Sequence, residues 1–397
     1  MSPRSLAAAA LGTTLAIQIF VSAAATATAV LAPAIAHAFD VEPRWIGAFV
    51  GIVFAGAMTA SLASGAFIAR FGAIRTSQAS ALLCAGGLAL VAIAPQQAPW
   101  LLGLAALVVG IGYGPITPAS SQLLARTAPP GRMAVTFSIK QTGVPAGVAV
   151  AGALLPSLAD LAGWRNALGG LAALGVPVAL AAQLVRATLD VERQPTRLGL
   201  LSALAPLVHL RLARLRRIAL TSLAYSAAQV SLTSFLVVYL TATLAFPLVT
   251  AGLLLSAATL GGVAGRIGWG IVADRWLPAA RALALIGLLA AALTVGLAFA
   301  QRDWGSLGCA VLAAALGATA IGWNGVQLAE VARLAPPGLA GALTAATSFV
   351  TFSGVVIGPP LFALVASVTG SYRAAFGVSA LVTAGAAAWL LRRDERE

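Results

Sequence analysis

Ala125-Arg126-Thr127-Ala128-Pro129-Pro130-Gly131 is written a second time, 207 residues later, as Ala332-Arg333-Leu334-Ala335-Pro336-Pro337-Gly338. Each copy closes one long apolar run and precedes another. The same offset pairs Thr26 with Thr233 and Phe39 with Phe246, and Trp164-Arg165 recurs nearly in step as Tyr372-Arg373. At an offset of 205, Gly65-Ala66-Phe67-Ile68-Ala69-Arg70 recurs as Gly270-Ile271-Val272-Ala273-Asp274-Arg275. The chain reads as a tandem duplication. Its halves span 1–186 and 218–397, joined by a polar, arginine-rich linker at 187–217 that contains Pro195 and, near a short surface helix, His209.

Sixty per cent of the residues are hydrophobic and nine per cent charged, which leaves no room for a soluble domain. Windows of about 20 residues, the length that crosses the hydrocarbon of a bilayer, give twelve membrane helices. They lie near 11–37, 44–69, 76–95, 99–125, 133–160, 166–186, 218–243, 249–273, 281–300, 305–333, 340–369 and 373–391. The fold class is all-α, with six helices in each repeat. Parallel repeats of this kind are an architecture of secondary transporters. The apolar run after Arg4 and the small residues Ala36-His37-Ala38 imitate a signal peptide. The run is longer than a signal core, and the repeat gives it a structural partner, so it is read as helix 1.

The net charge of +13 follows the topology. With both termini in the cytoplasm, eighteen arginines fall on the cytoplasmic side, among them Arg4, Arg70, Arg75, Arg126, Arg197, Arg393 and Arg396. Only Arg44, Arg165, Arg302 and Arg373 fall on the other. This positive-inside pattern orients the chain in a cell (inner) membrane and argues against a nucleic-acid partner. Cys84 and Cys309 read as buried thiols, not as a disulfide. No cluster of Cys, His, Asp or Glu has metal-ligand spacing, and no nucleophile or acid–base set is visible. Neither an enzyme nor a cofactor is expected.

Charges inside spans are few: Lys140 in helix 5, the only lysine, Arg266 in helix 8, and Glu330 near the end of helix 10. Buried charge in a membrane is costly and marks function by default. For Lys140 the alternative is a side chain that snorkels to the headgroups. For Arg266 it is a bond to backbone carbonyls or to Glu330. Lys140 and Arg266 each lie about seven residues, roughly 10 Å, from the cytoplasmic end of their helix. Their repeat partners, Thr347 and Ser61, are neutral. Gln18, Ser22, Tyr113, Tyr225, Gln229, Trp323, Asn324 and Gln327 form a polar set on helices 1, 4, 7 and 10. They are read either as a wet face or, one by one, as helix–helix hydrogen bonds. Gly143-Val144-Pro145 should break helix 5 just after Lys140, and Gly358-Pro359-Pro360 should kink helix 11. Gly261, Gly262 and Gly265 read as packing glycines.

Over almost its whole length the chain resembles the major facilitator superfamily. The signature between helices 2 and 3 of that family is Gly-x-x-x-Asp-Arg-x-Gly-x-x-Arg. Gly270, Asp274 and Arg275 match its start in the second half. In the first half Gly65, Arg70, Gly72 and Arg75 match, but Ala69 stands where the family has the acid. The resemblance implies that helices 5 and 8 line a central cavity across the two halves. It also implies a gate at Arg70, Asp274 and Arg275. Glu330, close to Arg333 and to the loop of Asp274 and Arg275, reads as a cytoplasmic gate or a packing salt bridge with Arg333, the alternative being a proton relay. Gly265-Arg266-Ile267-Gly268-Trp269-Gly270 locally resembles the helix-8 arginine of oxalate:formate antiporters and monocarboxylate transporters. Gly262 replaces the acid those monocarboxylate transporters carry one turn earlier.

The expected partner is therefore a small organic anion, a mono- or dicarboxylate, bound by Lys140, Arg266, Gln18, Tyr113, Tyr225, Gln229, Trp323 and Asn324. A co- or counter-transported ion and the lipid bilayer are further expected partners, and the chain is expected to be a monomer. The rival readings are a multidrug exporter of the same fold and a membrane receptor that binds without translocating. An exporter of cations should carry a mid-membrane acid, and none is present.

Overall fold

The structure is a computed structural model that describes residues 2–42, 45–191, 193 and 199–392. Arg44, Pro195, Arg197, Arg393 and Arg396 lie outside the described residues, as does part of the linker. Among the described residues twelve helices are long and apolar enough to cross a membrane: α1 (Pro3–Val30), α2 (Trp45–Phe71), α3 (Ala73–Ile93), α4 (Trp100–Thr127), α5 (Met133–Ala162), α6 (Trp164–Leu189), α7 (Ala213–Ala242), α8 (Leu248–Arg275), α9 (Ala279–Ala298), α10 (Gly305–Leu334), α11 (Ala340–Thr369) and α12 (Tyr372–Leu390). The chain is a multi-pass integral membrane protein. A helix satisfies its own backbone, the condition for crossing hydrocarbon.

Several boundaries differ from those read in the sequence. Helix α7 begins at Ala213, so Arg214, Arg216 and Arg217 are helical and not part of the linker. Hydropathy marks where the apolar run starts, while the helix continues through polar residues beyond it. A short helix Leu200–Leu204 and a 3-10 turn Ala205–Arg211 precede α7 and include His209. Helix α1 ends at Val30, and a second short helix, Ala32–Phe39, takes up the rest of the expected span.

The repeat in the sequence recurs in the packing. A Cβ at Gly110 on α4 would overlap the carbonyl oxygen of Val53 on α2, and a Cβ at Gly317 on α10 would overlap that of Ala258 on α8. These are the same contact in the two repeats. Gly261 and Gly265 on α8 press equally closely on Ala314 and Ala318, as the packing reading required. Arg165 donates to the carbonyls of Ala92 and Ala94 at the end of α3 (2.7 and 2.8 Å). Its partner Arg373 donates to Ala300 just beyond α9 (3.2 Å). The repeated Pro-Pro-Gly ends in a left-handed residue both times, Gly131 at φ 68° and Gly338 at φ 81°. Glycine takes that conformation without a Cβ penalty.

The contacts gather into two compact units. One comprises Met1–Pro129, Lys140–Arg211 and Leu334–Phe349; the other comprises Pro130–Ile139, Leu212–Arg333 and Val350–Glu397. Two pieces therefore trade places relative to the sequence repeat: the start of α5 joins the second unit and the start of α11 the first. In the first unit the start of α11 lies at the end of the helices that carries Arg70 and Arg126, and in the second the start of α5 lies at the end that carries Arg275 and Arg333; each is called below that unit's arginine-rich end.

Four spans are irregular, α6 through a break at Leu174. Helix α4 is interrupted at Gly114-Pro115, and α5 at Thr142, directly before the expected glycine–proline break. Helix α10 widens into a π-segment at Gly317–Ile321. Helix α11 stays helical through Pro359 and Pro360. There, Gly358 seats α11 against Ala227, 2.6 Å from Ala227 Cα to a Cβ built at 358.

Gly110→Val and Gly317→Val should each destabilise the protein by about 1–3 kcal/mol or more through overpacking. Gly12→Val, with nothing within 4 Å of its Cβ direction, should be neutral. Melting temperatures in detergent check this. Equal melting of all three variants would contradict the seam.

Candidate substrate site and gate

In the first unit Lys140 is fully buried (0 % exposed). Its ammonium donates to Gln18 Oε1 at 2.6 Å and to Gln141 Oε1 at 3.1 Å. Gln18 Nε2 in turn donates to Ser22 Oγ at 3.0 Å, one turn along the same face of α1. The break at Thr142 follows directly, and Gly143 is pressed on Gln18, 3.0 Å from a Cβ at 143 to Gln18 Cβ. Gln18 is the sixteenth of the 28 residues of α1, so the lysine head reaches the middle of a span. The snorkelling alternative is excluded by this geometry. Tyr113 lies half-buried at the end of the upper part of α4, edge-on to Phe54 with ring centroids 6.4 Å apart.

In the second unit Arg266 is 2 % exposed and its Nε donates to the carbonyl of Ile321 at 3.2 Å. Ile321 closes the π-segment, and Asn324 Nδ2 shares the same oxygen at 3.3 Å. Trp269, almost one turn after Arg266, donates its indole N–H to Ala318 O at 2.9 Å. A π-segment frees carbonyls from the regular ladder, and side chains of α8 and α10 take them up. Ile321 is the seventeenth of the thirty residues of α10, so this guanidinium too reaches mid-span. Gln229 accepts from Trp323 Nε1 (3.0 Å) and Asn324 Nδ2 (3.1 Å), joining α7 to α10. Tyr225 instead turns its hydroxyl to Leu283 O on α9 at 2.9 Å and packs edge-on against Trp323. That is a helix–helix bond. Gln327 is buried on α10, one turn past Trp323.

The arginine-rich end of the second unit carries an ionic chain. Asp274, at the end of α8, accepts the backbone N–H groups of Ala134 (2.9 Å) and Val135 (2.8 Å) in the first turn of α5. Arg333 bridges Asp274 at 2.8 Å and approaches Glu330 at 4.0 Å. Arg214 closes the chain on Glu330 at 2.8 Å. Asp274 thus satisfies orphan donors at a helix N-terminus, where the positive end of the dipole favours an anion. Ser138, one turn further along α5, is wedged between Gly270 and Gly325. Arg275 is exposed, and Arg70 is exposed with its guanidinium 5.4 Å from the Phe71 ring centroid. The first unit has a different acid in use. Asp190 at the end of α6 accepts Ile74 N (2.8 Å) and Arg75 N (3.0 Å) at the start of α3. Gly72, at φ 93°, leaves space for that carboxylate.

Sequence reading missed Gln141, Trp269, Gln122, Asp190 and the role of Arg214. Arg214 was counted only as a basic residue of the linker. The π-segment had no sequence signal beyond a run of small residues. Among the described residues no group of three or more His, Cys, Asp or Glu could hold a metal, and both cysteines are free and buried.

The Major Facilitator Superfamily model matches residues 14–359. No curated protein matches the chain. Among solved structures, an outward-conformation FucP, a transporter of that superfamily, superposes with a TM-score of 0.76 at 17 % identity, over 96 % of this chain and 99 % of that one. The human organic anion transporter MFSD10 (TETRAN) gives 0.74 at 18 % identity, over 99 % and 100 %. A bacterial homologue of the iron transporter ferroportin, outward-facing, gives 0.73 at 17 % identity, over 97 % of each chain. Identities this low speak to the fold.

Asp274→Asn removes the charge from the helix cap and the ion pair, worth about 1.5–3 kcal/mol for a charged hydrogen bond. In a cysteine-free background, a reporter Ser138→Cys, buried in this seam, should then label faster, with some ligand binding retained. Unchanged labelling would reject a gate at Asp274.

Proposed function

Since the chain belongs to the major facilitator superfamily of secondary transporters, which move small solutes by alternating access, we propose that its solute is a small organic anion, a mono- or dicarboxylate. The single observation that carries this is the sign of the buried mid-span charge. Lys140 and Arg266 are both cationic and each reaches the middle of a span. The acids are engaged elsewhere: Asp274 and Glu330 in the ionic chain at the arginine-rich end, Asp190 on the start of α3. No acid of the sequence falls in the middle third of a span. A carboxylate is the complement of both cations, bidentate for the guanidinium and a point-charge contact for the ammonium.

In the first unit the candidate contacts are Gln18 beside Lys140, and Tyr113. In the second they are Asn324, which shares the Ile321 carbonyl with Arg266, and Gln229 and Trp323 bonded to one another, with Tyr225 packed against Trp323. Arg266 is oriented by its Nε bond to Ile321, which fixes the plane of the guanidinium. The arginine-rich end of each unit is assigned to the cytoplasm by the positive-inside rule, which places both termini there. Transport, not catalysis, is the activity.

A thermal-shift series against a panel of carboxylates, cations and neutral sugars tests the charge, because a ligand stabilises the state it binds. Carboxylates should raise the melting temperature. A panel in which only cations or sugars do so would overturn the reading. Counterflow in proteoliposomes then separates a carrier from a receptor. Arg266→Lys should lose most transport despite keeping the charge, since an ammonium lacks the planar fork. Lys140→Arg should also be damaging, because the pocket at Gln18 and Gln141 holds a compact head. Wild-type counterflow by both variants would make the two cations structural.

A further inference from the structure

Two helix N-termini, one at the arginine-rich end of each unit, are held by side chains from the opposite sequence repeat, with different chemistry. The start of α5 is held by the Asp274 carboxylate on two backbone amides. The start of α11 is held by a neutral amide: Gln122 on α4 accepts Gly341 N–H at 2.8 Å and donates from Nε2 to Gly338 O at 2.9 Å. The position that repeats Asp274 is Ala69 on α2, which has no polar atom. The repeat partner of Gln122 is Ala329, which has none either. So each repeat supplies one cap and lacks the other.

Position 69 is nonetheless in the right place. One turn before it, Gly65 lies against the first turn of α11, with Ala342 Cα 3.5 Å from a Cβ at 65. Gly270, one turn before Asp274, lies against the first turn of α5 in the same way, with Ala134 O at 3.0 Å. A helix start leaves N–H groups unsatisfied unless a side chain or water takes them. With a methyl at 69, Gln122 takes this one.

We propose that Gln122 is the positioning residue of the first unit's latch, replacing the signature acid absent at Ala69. The start of α11 in the first unit is therefore tied by a neutral latch, and the start of α5 in the second by an ionic one. Salt and low pH weaken only the ionic one, through screening and carboxylate protonation. Gln122 sets what remains. This inference rests on alternating access and not on the anionic solute, so its test reads conformation without any solute.

The reporter is Thr344→Cys on α11, fully buried, whose hydroxyl has no partner to lose, in a full-length background carrying Cys84→Ala and Cys309→Ala. Gln122→Ala should speed thiol labelling at 344 about fivefold or more, the range expected for one or two neutral hydrogen bonds. Adding Ala69→Asp should return labelling towards the parent rate, and the rescued protein should become salt-sensitive at 344 where the parent is not. Melting temperatures separate opening from unfolding. Unchanged labelling in Gln122→Ala would overturn the proposal. So would failure of Ala69→Asp to rescue when the double variant melts like the parent.

Discussion

Inside a bilayer no water is at hand for a stray backbone group, so every N–H and C=O must find protein. Most do so within the helices. What is distinctive here is where the ladder is cut: Gly114-Pro115, Thr142, Leu174, the π-segment 317–321 and the helix starts at Met133 and Ala340. At three of these cuts a specific side chain is in place. Arg266, Asn324 and Trp269 serve the π-segment, Asp274 the start of α5, and Gln122 the start of α11. Backbone accounting and functional geometry are the same set of contacts.

This gives Arg266 two duties. Its bond to Ile321 is structural, and it also fixes the orientation of a charge at mid-span. The two are compatible, because only the Nε bond is needed to hold the plane. Lys140 is held more softly, between two amide oxygens that can re-aim.

The latches show the same division of labour. The ionic chain from Arg214 through Glu330 and Arg333 to Asp274 is strong but sensitive to its medium, and the Gln122 pair is weaker but indifferent to salt. The exchange of the starts of α5 and α11 between the compact units follows from this, since each is tied by its first turn to the other repeat.

Much of this was legible in the sequence. Apolar runs of span length and the repeated Pro-Pro-Gly carried the twelve helices and the duplication, because hydropathy and backbone conformation are local properties. The charges at 140, 266, 274 and 330 stood out for the same reason: in a chain so poor in charge, each one is conspicuous. Tyr225 was placed with the polar set, yet its hydroxyl turned to α9, since a helix face in sequence does not say which neighbour covers it. Gln122 was silent, because a glutamine acquires its role only when a helix start 219 residues away comes within 2.8 Å. The sequence alone determined what crosses the membrane, how often, and where charge sits along each span. Only the tertiary structure decided which backbone cuts those side chains close, because that depends on helices far apart in the chain packing within hydrogen-bond reach.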